Sequence, residues 1–340
     1  MEILRLGRYP FGALAAVALL AGCGNGSGPQ VGAPLNNSAA LGGVATMTRP
    51  DDSRSWMARL DHSRSWMAPD AKKHDLLYVS DSFPYGSNDV YVYSYPKGKL
   101  KGQLTGFNEP SGQCVDKAGN VFIANFGTSQ ILEYAHGGTS PINTLSDAGY
   151  YPLGCSVDPT TGNLAVTNRL STSFTTGDVA IYPDASGTPT SYTDPNFYYY
   201  EFCGYDNHGN LYIDGTTKGS GLEYAELPSG GGSFSNLTLN QSIGFPGGVQ
   251  WDGKHLAIGD QSAAVIYQFA ISGSSGTKVG STPLTGSKDV GQFWIQGKRV
   301  IGPDAGLADV GFYNYPSGGS PTKTIVDLGE PVGATVSRAK

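Results

Sequence analysis

Between Leu77 and the C-terminus one short pattern occurs six times, an apolar strand-like run that ends near Asp or Asn. The runs are Leu77–Asp81, Val121–Asn125, Leu164–Asn168, Leu211–Asp214, Leu256–Asp260 and Val300–Asp304, and their first residues lie 44, 43, 47, 45 and 44 positions apart. A strand unit of this length cannot bury its faces alone and must stack on copies of itself. A period of about 40–50 residues with all-strand character is that of propeller blades. The 49 Gly, 21 Pro and 20 Tyr in 340 residues agree with many short strands joined by turns.

Each unit holds more than the one strand. Upstream lies Pro-x-Gly-x-x-x-Asp, as Pro110–Asp116, Pro152–Asp158 and Pro246–Asp252, and again at the end as Pro331-Val332-Gly333 with Ser337 in the Asp place. Turns such as Lys117-Ala118-Gly119-Asn120 and Asn207-His208-Gly209-Asn210 follow it, and Gly and Asn there tolerate positive φ. Downstream comes an aromatic strand, for example Val90–Tyr95, Val179–Tyr182 and Val265–Phe269, and then a less distinctive outer strand. The expected architecture is an all-β, six-bladed β-propeller with four-stranded antiparallel blades. The first unit starts at its second strand and the last carries an extra inner strand. The C-terminal strand is therefore expected to complete blade 1 and close the ring, leaving no open sheet edge there.

The Pro-x-Gly strand, the Gly-Asn turn and the Leu-Tyr-Val-x-Asp strand resemble the NHL-repeat propellers and the related gluconolactonase-like enzymes of the TolB-like superfamily. The resemblance covers about residues 74–337. It implies a scaffold shared by binding proteins, sugar lactonases and bacterial surface lipoproteins, so the function has to be argued from a site.

The N-terminus reads as an address. Arg5 and Arg8 precede the apolar stretch Phe11–Leu20, which is too short to span a bilayer, and small residues follow. Leu20-Ala21-Gly22-Cys23 resembles the lipobox of bacterial lipoproteins, which implies a signal peptide over residues 1–22 and lipidation of Cys23. Residues 23–73 are then a flexible tether and lead-in, and residues 74–340 the propeller. The tether ends in a tandem copy, Ser53-Arg54-Ser55-Trp56-Met57-Ala58 repeated as Ser63-Arg64-Ser65-Trp66-Met67-Ala68. It is expected to be a duplicated lead-in of which one Trp docks, or else a peptide motif for a partner. The expected location is the bacterial cell envelope, lipid-anchored and extracytoplasmic, either periplasmic or at the cell surface. The lipid is the expected membrane contact and a monomer the expected state. A net charge of −6 argues against nucleic acid as a partner.

Cys114, Cys155 and Cys203 fall on inner strands of successive blades, two or three residues before the repeat Asp. Three thiols cannot pair completely within one chain. They read as small buried residues, or as a Cys155–Cys203 bridge between neighbouring inner strands.

The loops before each inner strand and after each second strand share one face, called the top. There Glu109, Tyr151, Phe245 and Glu330 occupy equivalent places at the channel rim. The strand-end Asp81, Asn125, Asn168, Asp260 and Asp304 recur with the repeat and read as turn caps rather than ligands. The run Tyr198-Tyr199-Tyr200 occurs in one blade only, so repetition does not explain it. Candidate ligand-binding residues are Tyr198, Tyr199, Tyr200, Glu201, Tyr151, Phe107 and Glu109, suited to a small polar ligand, a glycan or a protein. The lactonase resemblance implies a divalent cation, Ca²⁺, at the channel mouth, for which Glu109, Glu330, Asn168 and Asp260 are the candidate donors. On the binding-module reading no cofactor is expected. No nucleophile–base pair emerges, because His74, His208 and His255 precede second strands on the opposite, bottom face and His62 and His136 lie in other connections. Three readings stand: a non-catalytic binding module, a metal-dependent lactonase, or a structural envelope subunit.

Overall fold

The computed structural model describes residues 62–340, and within them the chain forms six sheets in the arrangement of a six-bladed β-propeller, antiparallel throughout except for a short fifth strand, Thr238–Leu239, paired in parallel with the outer strand of blade 5. Cys23, the tether and the first copy, Ser53–Ala58, lie outside the described residues. The sheets begin at inner strands Pro331–Ser337, Pro110–Val115, Tyr150–Val157, Tyr199–Tyr205, Pro246–Trp251 and Trp294–Gln296, here blades 1 to 6. Blade 1 is closed as the repeat order requires. The C-terminal strand Pro331–Ser337 pairs antiparallel with Leu76–Asp81, in register from Leu76 opposite Ser337 to Asp81 opposite Pro331. The last strand and the first blade strand, Leu76–Asp81, thereby share one sheet.

The second strands are apolar without alternation because both of their faces are buried. Leu77 and Val79 pack with Ile301 and Phe312 of blade 6, while Leu76 and Tyr78 pack with Val121 and Ile123 of blade 2. The same division recurs around the ring: Phe122 with Leu164 and Val166, Ala165 with Leu211 and Ile213, Tyr212 with Leu256 and Ile258, and Ala257 with Val300. The core is thus six interfaces between neighbouring blades. Each blade is stable only against its neighbours.

The glycine of Pro-x-Gly has a packing role at the axis. A Cβ at Gly112 would stand 2.5 Å from the Leu153 carbonyl oxygen, one at Gly154 3.1 Å from that of Glu201, and one at Gly333 2.4 Å from that of Ser111. Inner strands of consecutive blades touch backbone to backbone at these points, closer than any side chain permits.

The second Ser-Arg-Ser-Trp-Met-Ala copy docks. Trp66–Met67 forms a fifth strand on the outer edge of blade 1, opposite Gln103 and Gly102. The Trp66 indole N–H donates to Gln103 Oε1 at 3.3 Å, and the Thr105 N–H donates to Ser65 Oγ at 3.0 Å. Met67 lies over Gly102, where a Cβ would meet its sulfur. This short strand covers an edge that would otherwise offer unpaired backbone groups.

The disulfide differs from the pairing considered from the sequence. Cys155 and Cys203 do not bond; the bridge joins Cys114 of blade 2 to Cys155 of blade 3, with Cα atoms 5.6 Å apart, and Cys203 is a buried free thiol. The reason is strand alternation. Cys155 and Cys203 hold the same repeat position, so each sulfur turns toward the preceding blade, near the carbonyl oxygens of Phe122 and Ala165 respectively. Cys114 sits one residue further along its strand and faces the next blade. Its counterpart facing blade 4 is Ser156, which accepts the Tyr205 N–H at 3.0 Å.

Candidate functional site

Inner strands run from the top face to the bottom face and second strands return, so each strand-end Asp or Asn stands beside the loop that enters an inner strand. Asp81 Oδ1 accepts the N–H groups of Gly329 and Glu330 at 2.9 and 2.6 Å. Asn125 Oδ1 accepts Asn108 N–H at 2.8 Å, and Asp214 Oδ1 accepts Phe202 N–H at 2.8 Å. Asp260 accepts from Gly244 and Asp304 from Lys288 and Asp289, at 2.9, 2.7 and 3.0 Å. Each carboxylate or amide fastens a top loop to its own blade, except Asp214, whose partner Phe202 lies on the inner strand itself; for Asp81 this is also the ring closure. Buried acceptors paired in this way are scaffold. Asn168 departs from the pattern: its amide donates to Asp178 Oδ1 at 2.7 Å instead of capping a loop.

The repeat Asp on the bottom face does parallel work. Asp116 accepts Asn120 N–H, Asp206 accepts the N–H groups of His208 and Asn210, and Asp252 accepts those of Lys254 and His255. His74, His208 and His255 are at this face as expected, within salt-bridge reach of Asp70, Asp206 and Asp252. His136 bonds to Ser337 Oγ and to the His74 carbonyl, and His62 to Asp89.

The candidate ligand residues divide into core and rim. Tyr200 is fully buried; its ring stacks on Phe197 at 5.0 Å and its hydroxyl is fixed by both backbone groups of Asp194. Phe107 packs with Leu104 and Tyr134 between blades 1 and 2. Tyr198 and Tyr199 reach the surface, edge to face at 4.8 Å, with Lys218 over the first ring and the Arg169 guanidinium 5.2 Å from the centre of the second. Arg169 Nε also meets Glu201 Oε1 at 3.2 Å, so that carboxylate is neutralised within the site. Tyr151 lies between Phe126, 4.9 Å away and stacked, and Phe174, 6.0 Å away. The Tyr198 hydroxyl donates to the Phe174 carbonyl. Rings from blades 2, 3 and 4 therefore form one arc on the top face. Arg169 and Phe174 belong to it from the long Ser-, Thr- and Gly-rich loop after Asn168, a length that the repeat does not explain, and Phe126 and Lys218 belong to it without having been singled out in the sequence; no repeat position marks them.

The candidate cation donors do not meet. Glu109 is half-buried at positive φ, and burial raises its carboxyl pKa. Glu330 is buried and accepts the Tyr85 N–H at 3.1 Å, while Asp260 is occupied by its loop. Among the described residues no three His, Cys, Asp or Glu side chains converge as metal donors.

The channel itself is crossed by side chains. Gln292 of blade 6 reaches past blade 1, accepting Gln113 N–H at 2.8 Å and donating to Gln113 O at 2.7 Å on blade 2. Phe202 of blade 4, standing where other blades carry the Pro-x-Gly glycine, places its ring tip 3.8 Å from where a Gly291 Cβ would be on blade 6. Blade 6 lacks the Pro-x-Gly signature, and its Gly291-Gln292-Phe293 segment occupies the axis instead.

Two solved structures share this architecture. A chain from the crystal structure of a nidogen/laminin complex superposes with a TM-score of 0.61 at 14% identity, covering 78% of this chain and 99% of its own. A protein of unknown function from Bacteroides caccae superposes with a TM-score of 0.59 at 13% identity, with the same coverage. Both are similar in fold. No protein-family model matches the sequence, and no curated protein matches it.

Proposed function

We propose that this protein is a non-catalytic interaction module, held at the bacterial cell envelope by a lipid on Cys23, that engages a glycan or a protein through its top face. One observation carries the reading. Among the described residues, five of the eight exposed large apolar side chains, Phe83, Tyr85, Phe174, Phe245 and Leu307, stand on top loops, from blades 1, 3, 5 and 6, and the other three, Ile142, Val279 and Val326, lie on or directly after outer strands. None of the eight stands in a bottom turn. Exposed apolar groups gathered on one face mark a recognition surface, and aromatic rings with polar tips suit contact with sugars or protein. The nidogen/laminin neighbour comes from a protein complex, which is consistent with such a use of the fold.

The arc Tyr151–Phe174–Tyr198–Tyr199 is the proposed centre of that face. The test is site-specific photo-crosslinking in intact cells, with the reactive residue at Phe174 or Tyr198 and, as control, at Ala118 on the bottom. Adducts from the top positions alone support the reading; equal adducts from both faces, or none, overturn it. A glycan array probed with the wild type and with Tyr198→Ala/Tyr199→Ala separates sugar from protein as partner. Labelling cells with a palmitate analogue tests the anchor, and loss of label in Cys23→Ser is the expected result. The lactonase alternative draws no support from the rim, where Glu109, Glu330 and Asp260 do not converge. Calcium uptake measured by calorimetry together with lactone hydrolysis would replace the binding reading with the enzymatic one.

A further inference from the structure

The bottom end of the central channel is a second site, separate from the top face. Below the Gln292–Gln113 crossing a cavity of about 180 Å³ opens, lined by residues including Val157, Pro159, Tyr205, Trp251 and Trp294. It shares Val115 and Trp294 with an adjoining cavity of about 300 Å³ that widens to the bottom surface. Together they are of the size of a small-molecule pocket. Gln292 and Phe293, both buried, form the inner wall of this funnel.

Its chemistry changes along its depth. The deep part offers two indole rings, a phenol ring and branched aliphatic groups, beside the polar side chains of Ser156, Gln250 and Gln292. The outer part is lined by Lys117, Arg338 and Lys340 with one acid, Asp116. Asp116 is already engaged by the backbone N–H and side-chain amide of Asn120 at 2.7 and 3.0 Å. Lys117, Arg338 and Lys340 form no ion pair among the described residues. A positive rim on a protein of net charge −6, over an inner end where aromatic rings stand beside amides, is complementary to one kind of molecule. We infer that the bottom funnel binds a small organic anion with a flat apolar body, an aromatic carboxylate, ring inward and carboxylate at the Lys117–Arg338–Lys340 rim.

The architecture accounts for the funnel. Pro-x-Gly brings inner strands into contact in the upper half of the channel, whereas below it the strands diverge and larger side chains line the wall. Trp251 replaces the Val found at the corresponding end of blades 2 and 3, Trp294 stands one position earlier, where those blades carry Cys114 and Ser156, and both are partly exposed.

The probe is 2-naphthoate, with neutral 2-naphthamide as its control, added to the whole protein and followed by quenching of tryptophan fluorescence and by calorimetry. Naphthoate is expected to saturate below about 1 mM and to bind about tenfold more tightly than the amide, a difference of about 1.4 kcal/mol shared among exposed cations. Lys117→Glu/Arg338→Glu, which alters only exposed side chains, is expected to abolish that preference while leaving amide affinity and the melting temperature unchanged. Trp294→Ala is expected to weaken acid and amide alike. Tyr198→Ala/Tyr199→Ala is expected to change neither, which separates this site from the top face. Equal affinity for acid and amide, no saturation by naphthoate, or an undiminished preference in the charge-reversed variant each overturns the inference.

Discussion

The turns of the bottom face are short and alike: Asp116, Asp158, Asp206 and Asp252 each accept backbone N–H groups of the residues just after them. The loops of the top face are fastened by a similar set, Asp81, Asn125, Asp260 and Asp304, yet what lies between the fastenings differs in every blade. Both faces thus have a repeated frame, but only the top varies its fill, with Phe83 and Tyr85 in one blade, Phe174 in another and paired tyrosines in a third. A frame that anchors each loop at its base lets the loop tip change without cost to the blade. Charge divides the faces as well. Lys97, Lys117, Lys254, Lys298, Arg338 and Lys340 belong to the bottom and are exposed, whereas the top loops carry Arg169, Lys218 and Lys288 among buried carboxyls.

If the frame supports both faces, damage to it should outweigh damage to either surface. Deleting residues 331–340 removes the inner strand of blade 1 and with it the ring closure. The expected result is loss of cooperative folding, or a melting temperature lower by about 10 °C or more. An unchanged melt would count against closure by that strand. Gly333→Val forces a side chain onto the Ser111 carbonyl and is expected to cost about 1–3 kcal/mol by chemical denaturation.

Asp81→Ala should be milder than the truncation and still clear, about 1–3 kcal/mol, because it leaves the Gly329 and Glu330 N–H groups without their acceptor. The expected comparison is with Ser87→Ala, which removes one partner of the same carboxylate and nothing of the closure. Equal losses in the two variants would mean that Asp81 serves its own loop and not the ring.

Asp147 gives the top frame a pH dependence absent from the bottom turns. Burial first, and the nearby Asp178 second, raise its pKa to about 7, while Asn168 and Tyr182 pull the other way. An unfolded Asp titrates near pH 4, so between about pH 4 and this value the folded state holds a proton that the unfolded state has lost. The stability contributed is full below about pH 4 and falls as pH rises toward 7. Asp147→Asn, which keeps the neutral form, is expected to melt roughly 5 °C above the wild type at pH 8 and level with it at pH 4. The opposite bottom carboxyls, Asp158 and Asp252, are held below the usual range by hydrogen bonds that outweigh burial. They stabilise above their unfolded pKa and lose that contribution only in acid. The smallest expected effect is that of Tyr198→Ala/Tyr199→Ala on stability, within about 1 °C, since both rings are at the surface. A large drop there would make the rings part of the frame and weaken their assignment to recognition.

Much of this was legible in the chain. The period, the missing first inner strand and the surplus last one specify six blades and their closure, because a strand buried on both faces needs a neighbour on each side. The repetition of Asp and Asn at strand ends marked them as caps. The tyrosine run was harder to read. Adjacent residues on a strand point to opposite sides, so Tyr200 turns into the core beside Phe197 and Tyr199 away from it, while Tyr198 stays outside because it belongs to the loop before the strand. Cysteine pairing was misread for the same reason, since equal repeat positions give parallel side-chain directions and not facing ones. Phe126 meets Tyr151 only when blades 2 and 3 stand side by side, and Phe174 reaches it from the next top loop of blade 3 only when the strands of that blade are paired.

By itself the sequence determined the fold of this chain, its order of strands and the way the ring closes, since these follow from hydrophobic pattern, turn chemistry and a count of units. Tertiary structure alone decided what occupies the axis and the faces. Gln292 crossing to Gln113, Phe202 reaching toward Gly291, and Trp251 and Trp294 lining the bottom funnel are contacts between blades that no local pattern records. The physical reason is that a repeat specifies what each blade shares with the others, whereas a site forms from side chains in which they differ, brought together only when the circle is complete.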